Sequence, residues 1–157
     1  MSLDQILMLP PGYGFDASNA APSITVPGAQ SAVSNVALAI TGTSIADTDG
    51  NTQTVTLSVS HGTLTLASTA GLSFSVGDGT ADATMTFSGS LVDVNAALLS
   101  ITYTSTAGYS GSDTFSIATN DGVGGTDLKT VTITVSAREN MSNTFGAAAF
   151  AELAFSG

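Results

Sequence analysis

The residues best suited to chemistry are the acids and amides of two glycine-bearing segments. Asp47-Thr-Asp-Gly-Asn51 sets the side-chain oxygens of Asp47, Asp49 and Asn51 at alternate positions beside a glycine, half of what a hard cation takes. Asn120-Asp121-Gly122 offers a second set. These five residues are candidate calcium ligands. The same residue types also close tight turns without any metal, because Asx side chains accept hydrogen bonds from their own backbone. Calcium takes about six to eight oxygens, and we favour the turn reading.

Catalytic chemistry finds less support. His61 is the only histidine and is read as part of a hairpin-type His-Gly turn after a strand, while no Gly-x-Ser-x-Gly elbow supplies a nucleophile for it. Paired carboxylates of the glycosidase kind could be drawn from the twelve acids, but most of these lie in turn motifs. Gly122-Val-Gly-Gly125 lacks the Lys-Ser/Thr of a phosphate loop. Without cysteine there is no disulfide, thiolate metal site or thiol nucleophile. We expect no enzyme and no cofactor other than the candidate calcium.

Lys129 and Arg138 are the only basic side chains against twelve acids, a net charge of −10 over 157 residues. Nucleic acid and anionic membranes need clustered bases, so neither is an expected partner. The apolar run Ile6–Leu9 follows Asp4 instead of a basic segment and is too short for a signal peptide, and no stretch reaches the length of a membrane span. We therefore expect no leader, no anchor and no membrane insertion.

The elements that must position these residues are strands. Gln53-Thr-Val-Thr-Leu-Ser-Val-Ser60 alternates Val55, Leu57 and Val59 with hydroxyl residues, and Lys129–Ser136 repeats the device with Val131, Ile133 and Val135. Weaker alternation runs through 23–27, 36–41, 63–66, 72–76, 83–88, 100–104 and 113–119, separated by turn signals such as Asp49-Gly50, Gly77-Asp-Gly79 and Asp121-Gly122. Seven to nine short strands at this spacing predict an all-β antiparallel sandwich of two sheets. Ser90-Leu-Val-Asp-Val-Asn-Ala-Ala-Leu-Leu99 breaks the period, with apolar residues at 91, 94 and 98 behind a capping serine. It predicts one short helix closing an end of the sandwich.

Residues 19–137 therefore form the predicted domain, flanked by an N-terminal arm (1–18) and an apolar C-terminal arm (138–157). Ile6, Leu7, Leu9, Tyr13 and Phe15 crowd one arm; Phe145, Phe150, Leu153 and Phe155 mark the other. Burying one such side chain is worth about 1.5–3 kcal/mol, so these nine residues are the expected partner-docking set. Both arms could fold back on the sandwich; docking on a neighbouring subunit is the reading we favour.

The middle of the chain resembles the cadherin-like, immunoglobulin-like repeats of large bacterial surface adhesins. The matching text is Asn19-Ala-Ala-Pro-Ser-Ile-Thr-Val-Pro-Gly28, Ile45-Ala-Asp-Thr-Asp-Gly50, His61-Gly-Thr-Leu-Thr-Leu66, Gly77-Asp-Gly-Thr-Ala-Asp82, Asp93-Val-Asn-Ala-Ala-Leu98, Tyr109-Ser-Gly-Ser-Asp-Thr-Phe115 and Thr119-Asn-Asp-Gly122, in the family's order over roughly residues 19–136. The resemblance implies an Ig/cadherin-like sandwich with the 47–51 and 120–122 loops at one end. Where the family commonly has an acidic pair before its second strand this chain has Ser34-Asn35, and only one copy is present instead of a tandem array. Single sandwiches of this kind resemble bacteriophage decoration (cement) proteins. From this and the two arms we expect a structural protein on a virion surface, docked on capsid or tail proteins as a homo-oligomer, with a trimer among the candidates. The alternative is an extracellular or cell-surface adhesin module or spacer, stiffened by calcium or binding a glycan.

Overall fold

A computed structural model describes residues 18–139. In chain order the elements are β1 (Ser23–Thr25), β2 (Gln30–Val33), β3 (Leu38–Thr41), β4 (Ser44–Ala46), β5 (Gln53–Ser58) and β6 (Gly62–Thr65). They continue with β7 (Ser73–Val76), β8 (Thr84–Gly89), α1 (Leu91–Leu98), β9 (Ser100–Ser105), β10 (Gly111–Asn120) and β11 (Thr126–Ser136). A six-stranded sheet runs β2-β11-β10-β5-β8-β7, a three-stranded sheet runs β3-β9-β6, and β1 pairs with β4 in a small ribbon. The all-β sandwich expected from the alternation is what forms.

Period-two burial makes these strands. Along β5, Gln53, Val55 and Leu57 are buried while Thr54 lies open, and along β11 Val131, Ile133 and Val135 are buried between exposed Thr and Ser. Phe115 and Ile117 from β10, Met85 and Phe87 from β8, and Ile101 and Tyr103 from β9 complete one continuous core between the sheets. The expected antiparallel pattern holds for every ladder except one. β2 runs parallel to β11, with Ile133 opposite Gln30 and Ser136 opposite Val33.

Two of the eleven strands, β2 and β4, fall outside the seven to nine expected. Each has only three or four residues, with a single buried side chain, Ala32 or Ile45, so neither shows enough alternation to register as a period. The helix forms where expected. Ser90 caps it, accepting the Asp93 N–H at 3.2 Å and donating to the Asp93 carboxylate at 2.7 Å, while Val94, Ala97 and Leu98 face the core.

The sandwich has two poles. At the first, β5 and β11 begin, β8 and β10 end, and α1 closes the opening between β8 and β9. At the second, β10 and β6 begin while β9 and β11 end. Ile6, Leu7, Leu9, Tyr13, Phe15, Phe145, Phe150, Leu153 and Phe155, the expected docking set, lie outside the described residues.

Candidate functional site

Four of the five candidate calcium ligands are joined at the first pole, largely through one residue the motif search did not weigh as a ligand. Asn19 donates its side-chain amide to Asp121 Oδ2 at 2.7 Å and accepts from Asn51 at 3.2 Å, so it ties two loops together across 102 residues of sequence. Asp121 Oδ1 accepts the Val123 and Gly125 N–H groups at 2.9 and 2.8 Å. The Asn19 amide holds the Asp121 carboxyl below the usual carboxylate range, helped by loop amides and opposed by burial.

Asp47 and Asp49 are similarly occupied. Asp49 accepts the Ala20 N–H at 2.6 Å, while Asp47 accepts the Asp49 N–H at 2.9 Å and the amide of fully buried Gln53. Gln53 in turn accepts the Thr119 hydroxyl at 2.8 Å, linking the loop to β10. Asn120 stands apart, with its oxygen on the Gly122 N–H of its own turn at 2.6 Å. Asp47, Asp49, Asn51 and Asp121 thus serve as a hydrogen-bonded clasp between loops, while Asn120 closes only its own turn. Among the described residues no group of three or more His, Cys, Asp or Glu is arranged to hold a metal.

The second pole is organised by Asp113, which is 2% exposed. Its carboxylate accepts the Ser60 and His61 N–H groups at 3.0 Å each, the Thr114 N–H at 2.8 Å and the Tyr103 hydroxyl at 2.8 Å. Burial alone would raise its pKa; the Ser60 amide, the Tyr103 hydroxyl and the Thr114 and His61 amides together outweigh it, and the carboxyl titrates below its ordinary value. Tyr103 is pushed the other way, above the ordinary phenol value, by burial first and then by its bond to the Asp113 anion and that anion's charge.

His61 lies on the rim of this cluster. Its ring stacks on Tyr109 with centroids 4.1 Å apart and planes 8° from parallel, and its Nδ1 is 3.6 Å from Asp113. The His61-Gly62 step is not the hairpin turn expected from sequence. It carries the chain from β5 in one sheet to β6 in the other, and Asp113 fixes that crossing by capping the Ser60 and His61 amides. Glycine is required next to it because a Cβ on Gly62 would lie 2.5 Å from the Thr104 carbonyl oxygen and 2.7 Å from the Tyr103 ring. Among the described residues no serine or threonine hydroxyl bonds the imidazole, so His61 and Asp113 lack the third member of a nucleophilic triad.

A shallow groove of about 460 Å³ opens on the outer face of the six-stranded sheet, lined by Thr54, Thr56, Ala118, Asn120, Thr126, Asp127 and Leu128. Its residues come from three strands, so no local motif announces it.

No protein-family model matches the chain, and no curated protein matches it. Among solved structures it is similar to a nucleoside hydrolase-related hypothetical protein from Saccharophagus degradans associated with carbohydrate metabolism, at 12% identity and a TM-score of 0.39 over 80% of this chain and 27% of that one. It is also similar to the N-terminal Ig1-2 module of the Drosophila receptor protein tyrosine phosphatase DLAR, at 12% identity and a TM-score of 0.35 over 77% of this chain and 52% of that one. Domains 4-9 of the surface layer protein SbsC match at 14% identity and a TM-score of 0.31, over 78% of this chain and 15% of that one. The chain thus spans at most about half of the structures it resembles. Two of the three are Ig-module or surface-layer domains, and the assignment to an all-β sandwich rests on the strand order described above.

Two outcomes follow. Because the loop oxygens are already engaged, millimolar calcium or a chelator should leave the melting temperature unchanged; a rise with calcium would show those oxygens redeployed as ligands. Asp113 contributes stability that is fully present above its ordinary value of 3.8 and is lost as the pH falls below that through the lower folded value. Asp113→Asn should therefore cost about 3 kcal/mol at neutral pH. Its deficit relative to wild type, followed by thermal melts, should shrink once the pH drops below 3.8.

Proposed function

We propose that this protein is a non-enzymatic structural component of a virion surface, a bacteriophage capsid decoration protein that docks on capsid or tail subunits through its two terminal arms. The observation that carries this reading is where the arms attach. Asn19 binds Asp121 at the first pole, where β11 begins, whereas β11 delivers the chain to Ala137 at the second. Eleven residues of β11 separate these ends by about 33 Å.

A rigid body with an apolar arm at each pole can bridge two neighbours. Ile6, Leu7, Leu9, Tyr13 and Phe15 would engage one, and Phe145, Phe150, Leu153 and Phe155 the other. Each side chain that finds a pocket contributes about 1.5–3 kcal/mol, so three or four per arm suffice for firm attachment against the cost of ordering the segment. The net charge of −10 disfavours indiscriminate association of the protein in solution.

The same attachment geometry supports a second reading, a spacer module of a cell-surface adhesin, since an array of such modules also needs entry and exit at opposite poles. The two readings differ in what the arms do: in a virion they bind foreign subunits, in an adhesin they link modules.

Co-sedimentation of the full chain with capsid shells assembled without it tests the virion reading. Wild type should pellet with the shells, and a variant carrying Leu9→Ser, Phe15→Ser, Phe150→Ser and Phe155→Ser should bind at least about 100-fold more weakly. Equal binding by both proteins, or no binding by either, would exclude arm-mediated docking.

A further inference from the structure

The outer face of the six-stranded sheet bears no charged side chain. Register places only Ser, Thr, Ala, Asn, Leu and Val at the outward positions of its strands, and Thr130, Ser116, Ser58 and Thr84 form one row across four of them. In an ordinary soluble surface about a quarter to a third of residues are charged, and this chain carries a net −10. Among the described residues the acids therefore lie off this face, leaving one broad side where a like-charged copy can approach with little repulsion.

That side is also shaped to receive a copy of itself. Leu128, 60% exposed, projects at the rim of the 460 Å³ groove; Ala118 lies directly beside it, and Thr54 and Thr56 form the far side. The one carboxylate at the groove's end, Asp127, is engaged by the Ile24 and Leu128 N–H groups and the Lys129 ammonium. A knob beside its own hole on a single face is what a two-fold contact requires, because each partner then offers both halves. Six strands about 4.8 Å apart and about 13–36 Å long give on the order of 600 Å² of usable plane per copy, or about 1,200 Å² for a pair, the lower bound for a stable interface. Twisted sheets stack face to face at about 10 Å with roughly a 30° rotation. Threonine methyls supply the apolar contact, and their hydroxyls can pair as Thr56 and Thr86 already do at 3.0 Å.

We propose that this face is a symmetric homodimer interface in which Leu128 of each copy fills the groove of the other. The contact is independent of the terminal arms. Analytical ultracentrifugation of the full chain tests it. Wild type sediments as a dimer, and Leu128→Asp raises the dissociation constant at least about 100-fold, since symmetry buries the new carboxylate twice. Val123→Asp, which adds the same charge at a 63% exposed position in the β10–β11 loop, leaves the dimer intact. Thr132→Lys, on the exposed outer side of β11, is the second disrupting variant should Leu128→Asp fold poorly. A monomeric wild type at several hundred micromolar, or a dimer untouched by both face variants, overturns the proposal. So does an oligomer lost only when the arm residues are replaced, a result that leaves the arm-docking reading standing. A monomer that binds a polymeric glycan through this groove gives the face another occupant and overturns it as well.

Discussion

A carboxylate that gathers backbone amides at the point where the chain crosses between sheets is the constraint on which this fold depends. Asp113 holds the Ser60-His61 crossing from β5 to β6 and receives the hydroxyl of Tyr103 from β9. Without disulfides, the two sheets must be kept in register by such local clamps in addition to their shared core. The corresponding clamp at the opposite pole is distributed, with Asn19, Asp47, Asp49, Gln53 and Asp121 each satisfying a partner from another segment. Acids that would repel one another in solution are thereby made into acceptors for N–H groups that the loops could not otherwise pair.

This use of carboxylates links composition to function. Among the described residues most acids sit in polar loops, and the two bases of the sequence give no basic cluster. What it offers instead is a stiff β body, clamped at both ends, with the chain entering at one pole and leaving at the other. On the proposed readings, its chemistry would be that of fit: apolar arms against neighbouring subunits, and an uncharged sheet face against a second copy.

Much of the fold was legible because burial leaves a periodic trace. β5 and β11 show three alternating buried residues each, and α1 shows both its changed period and the serine that caps it. β2 and β4 left too little trace, and the parallel placement of β2 against β11 is a tertiary choice that no local pattern encodes. The polar loops were legible as turns, and their gathering at one pole followed from the family resemblance. The bond from Asn19 to Asp121 could not be read, because a side-chain amide 102 positions away has no sequence period. Asp113 was hidden for a related reason: at the inward side of β10 it occupies a slot that alternation assigns to an apolar residue.

Hydrogen–deuterium exchange on the full chain, free and bound to capsid shells, tests the central claim most directly. If the protein is a two-armed strut, amides in residues 1–17 and 140–157 gain protection on binding while those of the sandwich strands stay as they are. Protection confined to the sandwich, with both termini exchanging as in the free protein, would contradict it.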